Sequence, residues 1–207
     1  MVAKLAKTAT RPRGRPRAYD AETALQRARD IFWRSGYAAT SLDEIAAATG
    51  MNRPSLRAAF GDKHALYLAT LDAYWERKAV TMRDALGGGT VEAALMRAYG
   101  MALDTYFSGG SGARGCFVVA TAITEAAEDA DIRRVVTAGF KMLDDGFEAL
   151  FQTARARGEL GEDADPRALA QLATATMHSM AVRARAGAPR DELWSFAGKA
   201  VRVICAR

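Results

Sequence analysis

The chain has 207 residues, half of them hydrophobic and 26% charged, which is enough to bury a substantial core and typical of a soluble globular protein. Its net charge of +5 is localised: Lys4, Lys7, Arg11, Arg13, Arg15 and Arg17 place +6 in the first 17 residues, which leaves −1 for the other 190. That partition argues against general coating of nucleic acid, and Cys116 and Cys205, far apart and without Cys/His clustering, support neither a disulfide framework nor a zinc site.

The longest apolar-leaning run, 168–182, is shorter than the roughly 20 residues a membrane helix needs and is interrupted by Gln171, Thr174, Thr176, His178 and Ser179. The basic N-terminus lacks the apolar segment and small-residue cleavage site of an export signal. A cytoplasmic protein with no membrane partner is expected.

Residues 1–17 read as a basic disordered arm. Its stretch RPRGRPR, residues 11–17, has two readings: a solubilising tail, or an extended arm whose Arg13, Arg15 and Arg17 enter a narrow A·T-rich minor groove. Helix 1 follows, with Ala24, Leu25, Ala28, Ile31 and Phe32 on one stripe, Asp20 as its cap and Gly36 as its stop. Ser41 and Glu44 have capping-box spacing at the start of helix 2, which Gly50 closes. Asn52 then caps helix 3, with Pro54 in its first turn. Leu42, Ile45, Ala46, Leu56 and Phe60 would join helices 2 and 3 as a helix-turn-helix, with Arg53, Ser55 and Arg57 on the outer face.

Helix 4 is expected from Gly61-Asp62 to the glycines 87–89, and Thr90 caps helix 5. The glycine-rich loop 109–115 precedes helix 6. Helix 7 follows the stripe from Ile132 through Phe140 and Phe147 to Ala154, while Asp165-Pro166 and Pro189 start helices 8 and 9. The expected fold is all-α with about nine helices: a helix-turn-helix unit over 18–65 hung on a larger helical unit over 66–207.

The segment 19–71 resembles the DNA-binding domain of the TetR/AcrR family of transcriptional regulators. The resemblance rests on Phe32 and Gly36-Tyr37 before Thr40-Ser41, then Ile45-Ala46, Gly50, the helix-3 stretch, and Phe60-x-x-Lys63-x-x-Leu66. Arg114-Gly115-Cys116-Phe117 is similar to the Gly-Cys motif at the start of helix 6 in a branch containing copper- and electrophile-responsive repressors. The resemblance implies that 18–65 is the DNA-binding domain and 66–207 the ligand-binding and dimerisation domain, with a homodimer on a double-stranded DNA operator, no catalytic residues, and a small-molecule inducer of unknown identity rather than a cofactor or metal. By the same resemblance Ser41 and Lys63 meet phosphates, and Asn52, Arg53, Pro54, Ser55 and Arg57 lie on or beside the recognition-helix face. Arg57 and Ala59 depart from the family's usual aromatic pair. Arg57 can take a phosphate or a guanine edge, whereas Ala59 offers little.

Trp75, Tyr99, Tyr106, Phe117 and Met142 are candidates for lining a ligand cavity, against the plain alternative that helical spacing makes them core. Cys116 is either a small buried hydrophobe or a sensor thiol activated by a helix start and Arg114. His178 faces either ligand or dimer partner. Met177, Trp194, Ala197, Val201 and Ile204 are the expected dimer seam. The function expected is a repressor released by a small molecule or thiol modification. The alternatives are a nucleoid-type architectural protein and a small helical enzyme or carrier, although the chain carries no GxSxG, HExxH or glycine-rich phosphate loop.

Overall fold

Side-chain caps decide where most helices begin. In the computed structural model, which describes residues 20–110 and 112–206, Asp20 accepts from Glu22 N and Thr23 N to open α1 (Ala21–Ser35). Ser41 and Glu44 close the reciprocal capping box of α2 (Leu42–Thr49), and Asn52 Oδ1 accepts from Ser55 N at 2.8 Å to open α3 (Arg53–Phe60). Asp62, Thr90, Asp129 and Asp165 do the same for α4 (Lys63–Leu86), α5 (Val91–Tyr106), α7 (Ala130–Ala156) and α8 (Pro166–Arg185). Each such cap satisfies amides that the helix cannot. Two helices start without a side-chain cap, the five-residue α6 (Phe117–Thr121) and α9 (Arg190–Ile204). A 3-10 turn, Glu125–Ala127, joins α6 to α7.

Among the described residues there are nine α-helices and no strand, and no helix is long and apolar enough to cross a membrane. The arm carrying Arg13, Arg15 and Arg17 lies outside the described residues. The expected domain boundary at 65/66 falls inside the first turn of α4, because nothing interrupts that helix between its Asp62 cap and Gly87. One helix thus serves both parts. α1 and α3 pack on its N-terminal part and carry α2 between them, whereas α5 and α7 pack along the rest, with α8 and α9 closing the far side.

Gly50 adopts φ +70 at the turn between α2 and α3, a conformation that costs a side-chain-bearing residue dearly. Gly115 is held for a different reason: a Cβ there would sit 2.6 Å from the Ala181 carbonyl oxygen, so only glycine lets the segment before α6 press onto α8.

Candidate nucleic-acid interface and regulatory junction

α3 presents its N-terminal half to solvent. Asn52, Arg53, Pro54 and Arg57 are exposed, Ser55 is half-buried, and Leu56 is buried against the domain core. Arg53 is not free, because its guanidinium makes a bidentate ion pair with Asp43 of α2. Both side chains are largely exposed, so the pair is a weak surface link between the two helices that occupies the guanidinium in the free protein. Arg57 makes no side-chain hydrogen bond or ion pair among the described residues. The Ser41 backbone N–H and hydroxyl hold the Glu44 carboxyl below the usual carboxylate range, so the serine is engaged in capping. Lys63 reaches back instead of outward: Nζ donates to the Thr40 oxygen at 2.9 Å and lies 4.5 Å from the Tyr37 ring centroid. It braces the loop that aims α2.

The junction to the larger domain is aromatic and cationic. Phe117, at the first position of α6, is fully buried among Trp33 of α1 and Tyr67 and Tyr74 of α4, at centroid distances of 5.4, 6.1 and 5.6 Å. Trp33 Nε1 donates to the Arg114 carbonyl at 3.0 Å, and the Arg114 guanidinium lies 4.1 Å over the same indole. Arg114 also pairs with Asp30 of α1 at 3.0 Å. Across the interface Tyr67 and Thr121 hydroxyls share a 2.7 Å hydrogen bond, and the Tyr74 hydroxyl lies 3.3 Å from Cys116 Sγ. Any shift of α6 is therefore felt by α1.

The candidate cavity residues divide. Tyr99 and Tyr106 are buried, and their hydroxyls donate to the Ala173 and Met177 carbonyls at 3.2 Å, so they act as struts from α5 to α8. Phe117 belongs to the junction just described. Trp75 and Met142 line a groove of about 560 Å³ between α4 and α7. His178 lies with its ring 4.5 Å from Phe140, and burial pushes its pKa down while Asp144 opposes the shift. Trp75 Nε1, Asp144 Oδ1 and Thr174 Oγ1 are buried without a hydrogen-bond partner among the described residues. Phe140 and Asp144 are one turn apart on α7, as are Thr174 and His178 on α8, so these groups belong to facing helix surfaces.

Composition alone misses Lys78, which is only 7% exposed. Its signal is visible: Tyr74, Lys78, Met82 and Ala85 follow the apolar spacing of α4, so a lysine occupies a core position. Among the described residues, the group whose atoms could share a cation is His64, Asp129 and Asp131, within 4.8 Å of one another. Asp129 there caps α7, and its other oxygen lies 2.8 Å from His64 Nε2, so the carboxylate links α4 to the start of α7.

The expected dimer seam is not one exposed stripe. Ala197, Val201 and Ile204 are buried within the same chain, where α9 packs on α5 and α8, and Met177 is buried with them. The apolar face of α9 is consumed by its own core. Trp194 is 45% exposed, and the other exposed apolar side chains of these two helices are Leu172, Val182 and Val203.

A capped helix pair presenting α3, joined through a shared core to a larger helical domain, is the architecture of a two-domain transcriptional regulator. The chain belongs to the tetR family of bacterial regulatory proteins: that family model matches residues 24–70, and the tetracyclin repressor-like C-terminal domain matches 92–195. The transcriptional repressor ComR of Escherichia coli is 32% identical over 193 residues, covering 92% of this chain and 91% of ComR. The uncharacterized HTH-type regulator YezE of Bacillus subtilis is 28% identical over 92% of this chain and 99% of its own. A cysteine-substituted form of the TetR-family regulator CifR, solved with a 26-bp double-strand operator DNA, matches with a TM-score of 0.82 and 31% identity, over 91% of this chain and 98% of that one.

Proposed function

We propose that the chain is a homodimeric DNA-binding repressor that a small effector releases from its operator. The observation that carries this reading is the capped α2–α3 pair, whose outer face offers Arg57 while Leu56 anchors it from behind. Its relatives support the reading: ComR is a transcriptional repressor, and CifR was solved on operator DNA. Dimerisation, as in the family's other regulators, is assigned to α8 and α9, two packed helices that keep Leu172, Val182 and Trp194 exposed beside their shared core. Two heads then meet half-sites about 34 Å apart, and a change of a few Å in their spacing forfeits one set of contacts. The effector is assigned to the interior between α4, α7 and α8, where Trp75, Asp144 and Thr174 carry unpartnered polar atoms beside His178. Such atoms in a core call for a ligand or equivalent partner.

Footprinting on the DNA upstream of its own gene is the test. The expected result is one protected, dimer-sized site with salt-dependent affinity, whereas uniform binding along the fragment means an architectural protein instead.

A second release route rests on Cys116. Cys116, whose sulfur lies 3.3 Å from the Tyr74 hydroxyl, also lines a hollow of about 360 Å³ together with Val119, Ala181, Val182 and Arg185. Alkylation there would push α6 against the aromatic junction. Iodoacetamide is expected to label native Cys116 within about an hour and to weaken DNA binding. Cys205, whose thiol burial pushes up to about 11, should lag far behind. No labelling over many hours, together with unchanged oxidant-driven release in Cys116→Ser, rejects this route.

A further inference from the structure

We propose that the hollow between α1, α4 and the segment before α6 binds a small organic carboxylate, distinct from the effector assigned to the domain interior. The hollow has a volume of about 340 Å³, and its wall includes Arg29, Trp33, Tyr74, Arg77, Lys78 and Arg114. Four cations therefore converge on one space.

The nearby acids do not balance them. Asp30 is shared, at 3.0 Å from Arg114 and 3.4 Å from Arg29, and Asp104 on the rim is taken by Arg190 at 2.5 Å. Lys78 is 7% exposed and makes no hydrogen bond or ion pair among the described residues. Arg29 is 8% exposed, and the Nε atoms of both Arg29 and Arg114 are buried without a partner. Burying charge without compensation is among the most costly arrangements a fold contains, and an anion in the hollow would lie among these side chains and offset their charge.

The shape selects the kind of anion. At the small end of known ligand cavities, the hollow suits a compact molecule rather than a nucleotide. Trp33 and Tyr74 offer rings, and the lysine and arginine stems add aliphatic surface, so a carboxylate head with a flat apolar body matches both halves of the wall. Guanidinium groups engage a carboxylate through paired N–H donors. The positions also matter: Arg29 and Trp33 belong to α1 of the DNA-binding part, Arg77 and Lys78 to α4, and Arg114 to the approach to α6. A bound carboxylate clamps α1 to the larger domain, and so limits the positions the DNA-reading heads adopt. That consequence rests on the regulator reading, whereas binding itself does not.

The test uses the full-length protein with sodium benzoate as the probe, against sodium phosphate and sodium chloride at equal ionic strength, read by calorimetry and thermal melting. Saturable benzoate binding that raises the melting temperature is expected, with phosphate no better than chloride. Lys78→Met and Arg77→Gln should each weaken benzoate at least about ten-fold, as loss of a charge-assisted contact does. Without benzoate, Lys78→Met should melt no lower than the parent, because methionine fills the same place without a charge to desolvate. Lys141→Met, on the exposed face of α7, should bind benzoate as the parent does. No saturable benzoate signal, a phosphate signal equal to benzoate, or undiminished binding by Lys78→Met overturns the proposal. Operator binding measured on the same preparation separates the two readings: intact operator binding without benzoate binding sinks the carboxylate site alone, and the reverse sinks the regulator reading alone.

Discussion

Phe117→Ala is expected to destabilise the folded chain by about 3–5 kcal/mol, the usual cost of emptying a fully buried phenylalanine site. The upper part of that range applies because the surroundings cannot collapse inward. Trp33 is fixed by its bond to the Arg114 carbonyl, Tyr67 by Thr121 and Tyr74 by its contact with Cys116, so three rings are held around the space the phenyl group leaves. Against a total stability of about 5–15 kcal/mol the change is large. Urea unfolding should show a markedly lower midpoint, and Phe117→Leu, which keeps most of the volume, should cost less than about 1.5 kcal/mol. A loss below about 1 kcal/mol for alanine would mean that α6 does not anchor the junction. A further consequence follows from the location. Phe117 touches α1 and α4 together, so under conditions where the alanine variant remains folded it should bind operator but respond weakly to effector.

Much of the fold was legible because it depends on local chemistry. Asp20, Ser41, Asn52, Asp62, Thr90 and Asp165 all accept from the amides of the helix they open, and a cap needs only its own few neighbours, whereas the Asp129 cap of α7 is masked by the apolar stripe that follows it. What depends on distant partners was not legible. By resemblance Lys63 is a phosphate ligand, yet in the free protein it folds back to the Thr40 carbonyl and the Tyr37 ring, which the fold brings beside it. Arg53 reads as an outward cation until α2 brings Asp43 beside it, ten residues away in sequence. The α9 stripe of Ala197, Val201 and Ile204 has the same periodicity whether it faces a partner subunit or its own α5, and only packing decides. The Gly-Cys pair illustrates both cases: Gly115 has a purely steric reason in the nearness of α8, whereas the placement of Cys116 between Tyr74 and a surface hollow could be seen only once α4 and α8 were in position.

Arg57→Ala is expected to be the most damaging single change to operator binding. The other basic and polar groups of the recognition unit are already occupied in the free protein: Arg53 with Asp43, Lys63 with the loop carbonyls, and Ser41 and Asn52 as caps. Arg57 is exposed one helical turn beyond Arg53 on the same face, and it would meet DNA without first surrendering a partner. A well-placed arginine contact is worth about 1–3 kcal/mol. A two-fold dimer uses each residue twice, so removal should cost about 2–6 kcal/mol per operator complex. Titration across a series of salt concentrations tells what the arginine reads. If it meets a phosphate in each half-site, the slope of log affinity against log salt falls by about 1.8 per dimer and scrambled DNA loses as much as operator. If it reads a guanine edge, the slope holds and the loss is confined to operator, shrinking when the contacted base pair is changed. Asp43→Asn sharpens the comparison, because it releases Arg53 and removes an exposed negative charge beside it, and it should tighten binding to any sequence. Undiminished operator affinity in Arg57→Ala would show that α3 is not the element that enters the groove.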